Sequence, residues 1–130
     1  MSELIGVDVG GTAIKLGRFS NGGALLAELE CPTPQPAMPG GVVTAIVDAV
    51  AALDPDLRAS RVGIGLPGPM DEEARVARVC INLPGWQQVP LAEWLEPQLG
   101  RRVTLANDGN CALMGEAWRG AAVGYRDVLL

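Results

Sequence analysis

The sequence predicts a single α/β domain built on a mixed sheet, and three observations predict it. Three strand-like runs open the chain with only short turns between them. Helical spacing of apolar residues appears only after residue 41, and from there strand-length runs alternate with helical stretches. The third observation is size: 130 residues, 48% of them hydrophobic, suit one domain able to bury roughly two-thirds of its unfolded surface. No internal repeat and no low-complexity tract interrupts the pattern.

Taken in order, residues 3–9 read as a strand that is apolar on both faces. Residues 12–19 read as its partner, with Ile14 and Leu16 pointing one way and Lys15 and Phe19 the other. After the turn signal Asn21-Gly22-Gly23, residues 24–31 alternate, with Leu25, Ala27, Leu29 and Cys31 set against Leu26, Glu28 and Glu30. These three strands make an antiparallel meander. The stretch PTPQPAMPGG, residues 32–41, reads as a loop, because proline removes donors and fixes φ. Val42, Val43, Ile46, Val47, Val50 and Leu53 then recur at helical spacing up to Asp54-Pro55.

VGIGL, residues 62–66, is a short buried strand broken by Pro67-Gly68-Pro69; residues 75–79 form a minor strand, and INLPGWQQ, residues 81–88, reads as a loop held to the core by Trp86. A helix follows from Pro90 with Leu91, Trp94 and Leu95 on its buried face. Pro97 removes the bond to residue 93, so this helix is expected to kink or stop near Glu96. Residues 103–106 are a further strand, residues 110–121 a helix with Trp118 in the core, and DVLL begins a last strand. The predicted order is βββ-α-β-(β)-α-β-α-β.

Charge and cysteine usage exclude several function classes. A net charge of −5 and a pI near 4.6 argue against nucleic acid or an anionic membrane as partner. Nine arginines are scattered without a basic run, and Lys15 is the only lysine. Cys31, Cys80 and Cys111 are far apart, and the chain has no histidine, which fits reduced, packed thiols better than a disulfide frame or a zinc site. Glu3 and Asp8 interrupt the only apolar run near the start, so no signal peptide is read, and no run reaches the ~20 residues of a membrane span. A cytoplasmic protein is expected.

Three strands end in residues a plain strand does not need: Asp8 with Gly10-Gly11, Pro67-Gly68, and Asn107-Asp108. If these strands run parallel, their ends share one rim, where open α/β sheets bind ligands. Gly10-Gly11 could serve only a tight hairpin needing positive φ. The functional alternative is that missing side chains let backbone N–H groups approach an anion, with Asp8 reaching a phosphate-bound metal and Thr12 adding a hydroxyl donor. No GxxxxGK[ST] occurs, and a dinucleotide fingerprint would have to open a helix rather than a strand. Lys15 lies three residues beyond Thr12, within reach of a phosphate or simply solvated. Asp108 could be no more than a helix N-cap, although Asn107-Asp108-Gly109-Asn110 offers more capping residues than one helix uses.

VDVGGTAIKLG, GIGLPGPMD, INLPGW and NDGNCALMGE, in that order, resemble the N-terminal half of ROK-family sugar kinases, a family that includes bacterial glucokinases. The resemblance runs from residue 3 to the end of the chain. It implies a ribonuclease H-like, actin-like ATPase lobe spanning residues 1–130, with the C-terminal lobe lying downstream.

It also implies ATP-dependent phosphorylation of a hexose, with glucose and its 6-hydroxyl expected. Gly10, Gly11 and Thr12 would lie beneath the ATP phosphates with Lys15 beside them, and Asp8 would hold Mg²⁺ through water. Asp108 would be the general base, and Asn107, Asp108, Gly68 and Asn82 would bind the sugar. The family's second phosphate loop, adenosine segment, further sugar ligands and Cys-rich zinc site belong to the other half, so this lobe alone is expected to be inactive. Homo-oligomers are expected from an unfinished strand and an uncovered cleft. The alternative reading is a sugar-sensing regulator of the same family, which would carry a DNA-binding helix-turn-helix ahead of residue 3; with the first strand starting at residue 3, none is expected.

Overall fold

The computed structural model describes residues 3–80 and 83–107. Strands β1 (Glu3–Val9), β2 (Ala13–Phe19) and β3 (Leu25–Pro32) form the antiparallel meander, and β4 (Ala59–Leu66) and β7 (Arg102–Asn107) extend it in parallel to β1. The sheet order is β3-β2-β1-β4-β7. A separate hairpin pairs β5 (Ala77–Val79) with β6 (Gln87–Val89). Helix α1 (Pro39–Leu53) connects β3 to β4, and α2 (Leu91–Leu99) leads into β7.

The period of two decides which face is core. Ile5, Val7 and Val9, Ile14 and Leu16, Val62, Ile64 and Leu66, and Val103 and Leu105 are all buried on one face. On that face α1 contacts β2, β3 and α2, while α2 contacts β7, and their buried stripes join the same cluster. Each such Val, Leu or Ile is worth about 1.5–3 kcal/mol relative to an exposed side chain. The opposite face carries Gly6, Gly17, Gly63 and Thr104 in one row, and Asp8, Lys15 and Glu30 in the next. Phe19 lies on this second face as expected, with its ring folded over Gly17, where a Cβ would come within 2.8 Å of it.

Four expectations need correction. The proline-rich stretch is not all loop: Pro32 ends edge strand β3 opposite Ala13, and the helix starts at Pro39. A proline at the first helical position loses no hydrogen bond, because its N–H would have had no partner. Gln87–Val89 forms a short strand rather than a loop.

Helix α2 runs through Pro97 to Leu99. The proline falls in the last turn, where burial of Leu95 and Leu99 and a left-handed Gly100 hold the end, the Gly100 N–H donating to the Glu96 carbonyl at 2.8 Å. Trp94 is 42% exposed and not core, because α2 buries the stripe Leu91, Ala92, Leu95 and Leu99 and Trp94 falls beside it.

Trp86 does pin its loop. It is 1% exposed, and its indole N–H donates to the Ala37 carbonyl at 2.8 Å. Cys31 is half-buried and Cys80 buried, neither in a disulfide, and among the described residues no helix is long and apolar enough to cross a membrane. The helix expected over 110–121, with Cys111 and Trp118, and the final strand lie outside the described residues.

Candidate phosphate and sugar site at the sheet rim

Because β1, β4 and β7 run parallel, their carboxyl ends meet at one rim, as the strand-end residues predict. Asp8 pairs with Gly65, and Leu66 pairs with Asn107, so Asp8 and Asn107 stand at nearly the same height with β4 between them. Two strand spacings put β1 and β7 about 10 Å apart.

At the β1–β2 tip, the Gly10 N–H donates to the Ala13 carbonyl at 2.9 Å, and a Cβ on Gly10 would meet that oxygen at 2.9 Å. Gly10 is therefore small because the turn is tight. Gly11 is different. Neither glycine has a left-handed backbone, and nothing lies within 4 Å of a Cβ placed on Gly11. The hairpin does not need a glycine there. Gly11 and Thr12 are exposed, and among the described residues their N–H groups donate to nothing. Their carbonyls are held: the Gly11 oxygen accepts from Gln35 Nε2 at 2.8 Å and the Thr12 oxygen from the Thr33 N–H at 2.9 Å, while Thr33 Oγ1 donates to the Gly10 oxygen at 2.7 Å.

Asp8 is exposed and directly opposite Lys15, which in turn faces Glu30. Lys15 thus shares the Asp8 face, one strand removed from it, between two carboxylate positions; a shallow cavity of about 350 Å³ is lined by Lys15, Leu16, Glu28, Leu29 and Glu30. Among the described residues no group of three metal-ligating side chains occurs. An exposed carboxylate at a strand end is the kind of donor suited to Mg²⁺ held mainly by phosphates and water, and Asp8 is of that kind.

At the β4 end, the fold explains Gly68. A Cβ there would stand 1.8 Å from the Val79 carbonyl oxygen, so the β5 backbone leaves room for nothing larger. The Gly68 N–H donates to the Leu66 carbonyl at 3.0 Å, and Asn107 Nδ2 donates to the Gly68 carbonyl at 3.3 Å, tying the ends of β4 and β7 together. Asn82 and Asp108 lie outside the described residues.

The outer edge of β7 is covered by the 71–76 turn. There the Leu105 N–H donates to the Ala74 carbonyl at 2.8 Å, and Arg75 makes a two-armed pair with Glu96 at 2.6 and 2.9 Å. The Arg75 guanidinium first, then the Val103 N–H, hold the Glu96 carboxyl down to about 2. Sequence reasoning missed Thr33 and Gln35, which sit in the stretch read as loop. Their only signal was two polar side chains among prolines.

Residues 4–130 match the ROK family. A glucokinase from Thermotoga maritima is 35% identical over 127 residues, covering 98% of this chain and 40% of the relative. An N-acetyl-D-glucosamine kinase from Citrobacter koseri is 41% identical over 115 residues, covering 87% and 37% respectively. A ROK glucokinase from Streptomyces griseus, solved with glucose and AMPPNP, superposes with a TM-score of 0.83 at 34% identity, over 93% of this chain and 38% of that one. The chain thus spans about 40% of the length of the curated relatives it matches.

Proposed function

The chain belongs to the ROK family and has its actin-like α/β fold, and we propose that it is the N-terminal lobe of an ATP-dependent hexose kinase, with glucose phosphorylated at its 6-hydroxyl. The observation that carries the reading is Gly11: an exposed glycine with no steric or conformational reason in the fold, between Asp8 and Thr12, on the same rim as Asn107.

In this proposal the Gly11 and Thr12 N–H groups and the Thr12 hydroxyl receive the donor's phosphate oxygens, Gly10 keeps the turn tight, and Lys15 adds positive charge nearby. Asp8 would hold Mg²⁺ through water; when bound, the ion neutralises charge on the phosphates. Asn107, Asn82 and the backbone around Gly68 hold the sugar. Asp108, the residue after Asn107, accepts the proton of the sugar 6-hydroxyl as that oxygen bonds to the γ-phosphorus and the bond from phosphorus to the bridging oxygen breaks, leaving ADP and the sugar 6-phosphate.

Phosphoryl transfer asks little of the protein beyond positioning, charge and one such carboxylate. ATP, Mg²⁺ and a hexose are the partners this requires. A second lobe would supply the rest of the nucleotide and sugar contacts, so residues 1–130 alone are not expected to turn over.

The test is Asp108→Asn in the complete polypeptide. Turnover is expected to fall by about 10²–10⁴-fold while glucose affinity stays within about tenfold, since a general base acts mainly in the transition state. Near-normal turnover would remove Asp108 from the role of base.

A further inference from the structure

We infer that Thr33 and Gln35 are positioning residues for the phosphoryl donor, fixing the direction in which the Gly10-Gly11-Thr12 backbone presents its N–H groups. The inference rests on the phosphate-site reading of the rim and adds to it residues outside the glycine motif.

The argument is one of peptide planes. In a trans peptide the carbonyl of one residue and the N–H of the next point in opposite directions. Thr33 Oγ1 donates to the Gly10 carbonyl at 2.7 Å, so the Gly11 N–H is turned away from Thr33. Gln35 Nε2 donates to the Gly11 carbonyl at 2.8 Å, so the Thr12 N–H is turned away from Gln35. The Thr33 N–H adds a third bond, to the Thr12 carbonyl at 2.9 Å.

Three consecutive carbonyls are thus held on the side of the 33–35 segment. Two consecutive N–H groups, neither donating to a described residue, face the other way. A flexible glycine tip would otherwise sample both orientations, and an anion would have to order it on binding.

The brace is itself anchored. Thr33 is 3% exposed, and the segment after it is fixed where the Trp86 indole donates to the Ala37 carbonyl at 2.8 Å. A buried threonine whose hydroxyl serves a backbone carbonyl in the β1–β2 turn is a fixed support, while the exposed Gln35 closes the outer side.

The test compares binding of magnesium AMPPNP and of glucose by calorimetry in the complete polypeptide. Thr33→Val keeps the shape and removes the donor; it is expected to weaken AMPPNP about tenfold, the scale of one orienting hydrogen bond, with glucose affinity within twofold. Thr33→Ser restores the hydroxyl and is expected to return AMPPNP affinity to within twofold of the parent. Gln35→Ala, at an exposed position, is expected to weaken AMPPNP about threefold.

A general loss of packing would lower both affinities and would not be rescued by serine. If Thr33→Val fails to fold, Gln35→Ala decides. Unchanged AMPPNP affinity in the folded variants overturns the inference and leaves the kinase reading standing. A parent protein that binds no magnesium AMPPNP overturns the kinase reading, and the inference falls with it.

Discussion

The two ends of the sheet use charge in opposite ways. Where the parallel strands begin, Asp54 is buried between the end of α1 and the start of β4, accepting N–H bonds from Arg58 and Ala59 at 3.0 and 2.9 Å. Arg101 Nη1 reaches it at 2.6 Å, Arg18 stands at 3.8 Å, and Arg18 also meets Glu3 at 3.1 Å. Burial works to raise the Asp54 pKa, but the two N–H groups and Arg101 outweigh it, so the carboxyl sits below the usual range.

Where the same strands end, Asp8, Gly11, Thr12 and Asn107 are exposed. The difference teaches how to separate structural charge from functional charge. At one end the charged groups pair with one another and tie three strands and a helix together; at the other, Asp8, Gly11, Thr12 and Asn107 stand at an exposed rim.

The largest effect that would break this comparison belongs to the buried end. Asp54→Asn leaves Arg101 without its counter-charge, and removing one partner of a buried pair costs about 3–5 kcal/mol. Chemical denaturation should therefore show a large drop in midpoint, and a variant as stable as the parent would deny Asp54 its locking role.

A smaller effect is expected at the edge of β7. Glu96 titrates at about 2 in the folded chain, below its ordinary value, so its pair with Arg75 stabilises the fold fully at neutral pH and is lost as pH falls toward that value. Being partly exposed and screened by solvent, the pair should contribute much less than the buried Asp54 pair. Melting temperature followed from pH 6 to about pH 2 should fall less steeply for Glu96→Gln than for the parent; identical slopes would contradict the assignment.

Much of this was legible in residues. Alternation marked the faces of β2 and β3, and the strand-end residues marked the rim, because period and turn chemistry are local properties. What stayed hidden depended on partners distant in the chain. Trp94 looked like core until the stripe of α2 was seen to run through Leu91, Leu95 and Leu99 beside it.

Pro97 pointed to a kink or a stop near Glu96, and the helix does not stop there, because sequence shows the lost bond but not the buried leucines and the Gly100 cap that hold the last turn. Gly68 looked like a ligand-binding glycine, and the reason for its small size is a carbonyl from β5, eleven residues on. Thr33 and Gln35 could not be found at all without the hairpin they brace. Asn82 and Asp108 lie outside the described residues.

The most direct measurement sets stability and binding side by side in one variant, Gly11→Ala. Nothing in the fold lies within 4 Å of the added Cβ and the backbone there is not left-handed. Folding stability, read from the melting transition, should therefore stay the same or rise by up to about 1 kcal/mol. The same methyl group would stand where a phosphate must approach the backbone, so affinity for magnesium AMPPNP in the complete polypeptide should fall by about tenfold or more. A variant that loses stability and keeps its nucleotide affinity would contradict the account, because Gly11 would then belong to the fold and not to the site.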